Sequence, residues 1–204
     1  MQSIENKILN RIKRTRRGVI LFPEQFSSIG SSEAVRTALH RLEKRKEIVR
    51  LAHGIYARLE IDPLIGPVRP GTEAIAEAIR RRDKARVVPT GILALNALGL
   101  TTQVPMNVVY LTDGTARTIT IGKRKIIFKT TTPRNLSAIG KISSLVIQAL
   151  REIGQEQTSD KEIEIVLKHL AREDPRCLEH DIRLAPEWIR VIMRKALKTD
   201  RTNL

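Results

Sequence analysis

Apolar residues recur at helical spacing in some stretches of this chain and in short continuous runs in others, and that alternation predicts its elements. Ile4, Ile8, Leu9 and Ile12 lie at i, i+4, i+5 and i+8, one stripe of a helix. Gly18 stops that helix after the basic run Lys13-Arg14-Thr15-Arg16-Arg17. Val19 to Phe22 reads as a short buried strand, Pro23 opens a short second helix ending near Phe26, and Gly30 marks a turn. Ser31 or Ser32 supplies the N-cap of a third helix running to about Arg45, with Val35, Ala38, Leu39 and Leu42 inward. Ile48 to Leu51 and Gly54 to Arg58 then read as two strands of a tight ribbon around Ala52-His53-Gly54.

The segment from Ile61 to Thr72 holds Pro63, Gly66, Pro67, Pro70 and Gly71, where neither a helix nor a strand ladder persists. Residues 61–72 are therefore expected to be a linker between a domain of residues 1–60 and one of residues 73–204. The second begins with a helix from Glu73 to about Arg82, with Ala74, Ile75, Ala78 and Ile79 inward. Val87-Val88-Pro89 is extended and Gly91 to Leu98 is helical. Asn107–Leu111, Arg117–Ile121 and Lys125–Phe128 are strand-like, with Asp113-Gly114 and Gly122-Lys123 as hairpin turns. A small antiparallel sheet packed on helices is expected. The final third is a helical tail: Ile142 to Ile153, a helix boxed by Ser159 and Glu162, and one opening at Pro186 with Trp188, Ile189, Ile192 and Leu197. The predicted fold class is α+β.

Helix, strand, helix, turn, helix, hairpin is the order of a winged helix-turn-helix. The third helix keeps Glu33, Arg36, Thr37, His40 and Arg41 off its apolar side, and in such domains that helix meets base edges. Arg36 can bridge guanine O6 and N7. Base readout is expected from Ser32, Arg36, Thr37 and His40, beside Ser31 and Glu33 at the helix start. Phosphate contacts are expected from Arg41, Lys44, Arg45, Arg50 and His53, with Arg58 also on the wing. A charged outer face on three short helices also suits a protein-interaction module, and His40 and His53 taken singly are equally ordinary surface residues.

Charge changes this picture most. Lys and Arg number 37 against 22 acids, a net charge of +15. Of that surplus, residues 1–58 carry +8, residues 59–135 carry +6 and residues 136–204 only +1. A polyanion partner follows, because Lys and Arg release condensed counterions from phosphates. The aromatics are few: Phe22, Phe26, Tyr56, Tyr110, Phe128 and Trp188. Single strands need stacking platforms, so duplex DNA is favoured. No apolar run approaches a membrane span, Cys177 is the lone cysteine, and the N-terminus has no apolar leader, so a cytoplasmic protein is expected.

No catalytic constellation emerges, and no enzyme or cofactor is expected. Ile121-Gly122-Lys123-Arg124 lacks the upstream glycine and the following Ser or Thr of a phosphate loop. Cys177, His180 and Asp181, with His169 a helix away, have metal-ligand spacing, but Cys177 stands alone in what reads as a polar surface turn. Asp160 and Glu164 share a helix face, where a solvated acidic helix start is the plainer reading.

Two stretches carry a family resemblance. Gly30-Ser31-Ser32-Glu33-Ala34-Val35-Arg36 through Leu39-His40-Arg41-Leu42, followed by Ile48 to Tyr56, resembles the winged helix of AbiE-type (AbiEi-like) antitoxins. Pro89-Thr90-Gly91, Ala94-Leu95-Asn96-Ala97-Leu98-Gly99-Leu100-Thr101-Thr102-Gln103-Val104-Pro105 and Tyr110-Leu111-Thr112-Asp113-Gly114 resemble uncharacterised bacterial proteins related to them. The resemblance spans about residues 4 to 135. It implies a transcriptional regulator that represses its own promoter. It also implies that the protein neutralises a nucleotidyltransferase-like toxin of a type IV toxin-antitoxin system without forming a stable complex. An operator-binding regulator with a ligand-sensing second domain and no toxin is the alternative, and a monomer or a homodimer is expected.

Overall fold

The computed structural model describes residues 2–200 and is an α+β chain. Residues 1 and 201–204, at the outer ends of the two expected domains, lie outside the described residues. The chain divides into two compact units, Met1–Arg81 and Arg82–Leu204.

The first unit opens with α1 (Ile4–Arg14), N-capped by the Ser3 hydroxyl, which accepts from Asn6 N–H at 3.2 Å. At its other end Arg58 donates to the Lys13 carbonyl at 3.2 Å, a cation where the helix leaves unpaired carbonyls. Strand β1 (Ile20–Leu21) follows, then Pro23–Phe26, a single 3-10 turn. A short second helix is predicted at that point. Its bounds are those expected, but four residues hold only about one turn, which the Ser27 N–H closes on the Glu24 carbonyl at 3.3 Å. Helix α2 (Ser32–Lys44) is capped by Ser31, whose hydroxyl accepts from Ala34 N–H at 3.3 Å. Strands β2 (Val49–Ala52) and β3 (Ile55–Ala57) form a hairpin, and β1 completes a three-stranded antiparallel sheet in the order β1-β3-β2. Ile8, Ile12, Phe26, Val35, Leu39, Leu42 and Ile48 fuse into one core. Each such side chain contributes roughly 1.5–3 kcal/mol by leaving water, so the apolar stripes of α1 and α2 hold this unit together.

The expected linker is instead structured at its start. Strands β4 (Glu60–Asp62) and β5 (Gly66–Val68) pair antiparallel, because Asp62 closes the turn by accepting from Leu64 and Ile65 N–H at 2.8 and 3.1 Å. Gly66 takes the positive φ, 77°, that the turn requires. Helix α3 (Thr72–Asp83) follows, and the division between units falls within it.

The second unit holds β6 (Val87–Pro89), α4 (Ile92–Ala97), β7 (Asn107–Thr112), β8 (Arg117–Ile121) and β9 (Arg124–Thr130). Its sheet runs β6-β7-β9-β8 and is mixed, which corrects the expected antiparallel sheet. β8 and β9 do form a hairpin about Gly122-Lys123, but β9 pairs parallel with β7, from Asn107↔Lys125 to Thr112↔Thr130. Asp113-Gly114 is therefore no hairpin turn; the chain there steps past the position that β9 occupies. Tyr110 and Phe128 stack at 5.7 Å, and both are buried.

Four helices complete the unit: α5 (Lys141–Ile153), α6 (Asp160–Leu170), α7 (Pro175–Ile182) and α8 (Glu187–Asp200). Ser159 and Glu162 make the expected capping box. The segment read as a surface turn around Cys177 is instead α7, started by Pro175 and capped by Asp174. Val146, Leu150, Leu170, Leu178, Ile189 and Met193 meet in one core with Leu98 of the turn after α4.

Candidate nucleic-acid interface

At 100° per residue, the side chains of α2 opposite Val35, Leu39 and Leu42 are Arg36, His40, Glu33, Lys44, Thr37 and Arg41, an arc of about 140°. All six are exposed. The arc is some ~16 Å long, enough to lie along a groove. Ser32 is also exposed at the helix start, and Ser31, though its oxygen accepts the capping bond, keeps a hydroxyl proton to donate.

The expected residues differ in how far they are already engaged. Arg36 and Lys44 have no acidic partner among the described residues. His40 lies 3.6 Å from Glu43. Arg41 and Arg45 share Glu5 of α1, at 3.9 and 2.7 Å, and Glu5 is nearly buried. On the hairpin, Arg50 lies 3.1 Å from His53 Nδ1, a bond that requires an unprotonated Nδ1 as acceptor. His53 and Gly54, with φ 68°, make the two-residue tip. Arg58 stands apart, committed to the end of α1.

α2 thus brings Ser31, Ser32, Glu33, Arg36, Thr37, His40, Arg41, Lys44 and Arg45 onto one element. Arg50 and His53 sit on the hairpin that follows it, and Arg58 belongs to the scaffold. Glu5 was not anticipated. Its partners lie 36 and 40 residues away, and nothing in local spacing signals a pair that only tertiary packing creates. A first-turn glutamate reads from sequence as a favourable dipole partner and no more.

The residues weighed for metal binding serve the helices. Asp181, fully buried, accepts from Ile139 and Gly140 N–H at 3.0 and 2.8 Å, from the Ser143 hydroxyl, and from His180 Nδ1 at 2.7 Å. Glu173 accepts from Ile142 and Ser143 N–H at 2.7 and 3.0 Å. Two carboxylates thereby satisfy the free amides at the start of α5. His169 lies 3.0 Å from the Leu98 carbonyl. Partial burial, with Asp174, Glu173 and Asp181 nearby, pushes the Cys177 thiol above its ordinary value. Asp160 and Glu164 are exposed in the first turns of α6. Among the described residues no three His, Cys, Asp or Glu side chains group as a metal set. No described helix is long and apolar enough to cross a membrane.

Helices and small sheets in two compact units, with a cationic face on one helix of the first, define an α+β protein. The chain belongs to a family of unknown function, DUF6088, whose model matches residues 7–178. No curated protein matches it. Among solved structures, the chain is similar to the crystal structure of the RV2827C protein from Mycobacterium tuberculosis at 13% identity. That match covers 96% of this chain and 80% of the other, with a TM-score of 0.45.

Proposed function

We propose that this chain is a sequence-specific binder of double-stranded DNA, its first unit acting as a winged helix-turn-helix, and that it represses its own promoter. The observation that carries the reading is the face of α2. Its exposed outer arc holds Arg36, Thr37, His40 and Lys44, and the hairpin that follows carries Arg50 on its first strand and His53 at its tip. A major groove admits one helix, and the hairpin beside it serves as the wing. Arg36 reads a guanine edge; Lys44, Arg50 and His53 hold phosphates. The proposal extends, on the resemblance of residues 4 to 135 to AbiE-type antitoxins, to a cytoplasmic antitoxin that offsets a nucleotidyltransferase-like toxin without a stable complex.

The test is fluorescence anisotropy on the upstream duplex and a scrambled control across a salt series. Preference for the upstream duplex is expected. Arg36→Ala should lose ~1–3 kcal/mol of that preference, whereas Lys44→Ala should weaken both duplexes alike. Equal losses on both duplexes for both variants would refute this division of labour.

A second reading, a ligand-sensing regulator without a toxin, is favoured by a cleft of about 360 Å³ in the second unit. Thr90, Gly91, Asn107, Lys129 and Glu152 line it. Its size suits a small molecule. Ligand-dependent thermal shifts of the purified protein test it.

A further inference from the structure

Residues 114–151 contain eight Lys or Arg side chains and no Asp or Glu. Five of these cations lie on one hairpin: Arg117 at the start of β8, Lys123 and Arg124 at the tip of β8–β9, and Lys125 and Lys129 along β9; Arg117 is paired with Asp83, which leaves the other four. All four are exposed, and none has an acidic partner among the described residues. Five other arginines in the second unit are neutralised. Arg82 and Arg117 pair with Asp83, Arg86 with Asp113 at 2.9 Å, and Arg190 and Arg194 with Glu187 at 2.9 and 3.0 Å. Burial opposes ionisation of Asp83, but the hydrogen bonds from Arg82 and Arg117 outweigh it and hold its carboxyl below the ordinary range. The hairpin gathers four unpaired cations of this unit on one element.

Strand register decides which side chains share a face. Lys125 pairs with Thr120 and Ile127 with Thr118, so Lys125, Lys129, Thr118 and Thr120 project from one side of the ribbon. Ile126 and Phe128 project from the other and are buried. The outer side therefore offers ammonium groups ~13 Å apart on either side of half-buried Ile127, with hydroxyls on the neighbouring strand, the donor types that meet phosphate and sugar oxygens. It offers no aromatic ring, because Phe128 and Tyr110 stack on the inner side. A surface without stacking platforms suits the backbone of a duplex and not unstacked bases.

We infer that the β8–β9 hairpin is a second, sequence-independent contact with the phosphate backbone of duplex DNA, separate from the α2 face. The inference rests on the DNA-binding reading above. The hairpin adds affinity without discrimination, and its contribution falls with salt as counterions compete.

The test uses the full chain carrying Lys123→Gln, Arg124→Gln, Lys125→Gln and Lys129→Gln together, with binding measured on upstream and scrambled duplexes over a salt series. Each phosphate contact contributes about 0.9 to the slope of log affinity against log salt, so the slope should shrink by about 2–4 on both duplexes. The charge-preserving set Lys123→Arg, Arg124→Lys, Lys125→Arg and Lys129→Arg should keep the native slope. The paired variants at the tip (123 and 124) and on the strand (125 and 129) should each lose about half, and they read the effect if the fourfold variant is unstable. An Arg36→Ala, Lys44→Ala variant is measured beside them. A native slope in the neutralised variants, with binding weakened in the α2 variant, overturns the hairpin contact and leaves the α2 reading intact. The reverse pattern supports the hairpin and refutes α2. A native slope together with hairpin-dependent retention on polyglutamate overturns the inference in favour of an acidic protein partner. A native chain that binds neither duplex overturns both readings.

Discussion

Asp181, fully buried, ties the start of α5 to α7, and removing it should be costly in a calculable way. Asp181→Ala deletes the acceptor for two backbone amides, Ile139 and Gly140, and for the Ser143 hydroxyl and His180. His180 is half exposed and turns to water, and Ser143 retains Glu173 at 3.4 Å. The cost falls on the two amides. A buried donor left without a partner costs ~1–3 kcal/mol, and loss of a carboxylate from a helix N-terminus adds up to ~2 kcal/mol. Two amides and the helix terminus together span about 2–8 kcal/mol, and because the Ile139 amide is only partly buried the lower half, about 3–5 kcal/mol, is expected. Trp188, the single tryptophan, packs on the core of this unit, so its fluorescence follows urea unfolding of the second unit alone. With a slope near ~2 kcal/mol per molar urea, the midpoint should fall by about 2 M. Asp181→Asn, which keeps one acceptor oxygen, should fall between native and Ala. His180→Ala should move the midpoint little. A shift under about 0.5 M for Asp181→Ala, or an equal loss for His180→Ala, would refute the assignment of Asp181 as the cap of α5.

Three further outcomes are expected. Glu5→Gln releases Arg41 and Arg45, so DNA affinity should rise and its salt slope steepen by about 1–2; anisotropy that matches the native protein would show that Glu5 does not compete with phosphate. Glu77, hydrogen-bonded by Arg80 and Arg81 at 2.7 and 2.8 Å, has its carboxyl lowered to about 2 despite some burial. Its pairing therefore stabilises the fold above pH 4.5 and is lost as pH falls toward 2. Because the pair is solvent-screened, Glu77→Gln should cost under ~1 kcal/mol at pH 7 and nothing near pH 2, read by thermal unfolding at both. The Cys177 thiol, raised by partial burial and its acidic neighbours, should alkylate more slowly at pH 7.5 than free cysteine; a faster rate would contradict that environment.

What the sequence made legible was whatever a local period encodes. Val35, Ala38, Leu39 and Leu42 are inward as their spacing requires, Ile8 and Ile12 are fully buried, and Ser159 with Glu162 caps α6. Period alone does not say which strand lies beside which, so it does not reveal the parallel pairing of β7 with β9 and makes β7 and β8 look like a hairpin. α7 was missed because its apolar face is short, Leu178 and Ile182, and its polar residues outnumber it. For the candidate interface, the outer face of α2 followed from its inner face. The engagement of Arg41, Arg45 and Arg58 did not, since each depends on a residue more than 30 positions away. Spacing along the chain does not gather the hairpin cations; the β8–β9 register puts Lys125 and Lys129 on the same outward side.

The position of β9 also sets a timetable. Although it is synthesised after β7 and β8, it lies between them, so the edge of β7 away from β6 has no partner until residue 130 has been made. β8 does not take that place, since its own ladder is with β9. The β8–β9 ribbon, closed by a two-residue turn, has the most local pairing in this sheet, whereas β7 meets β9 only across the whole of β8. A chain ending before Arg124 would carry a bare strand edge at Asn107–Thr112, open to any other strand it met. In a growing chain the seven residues of β9 mark the point at which this sheet stops being a hazard and becomes a product.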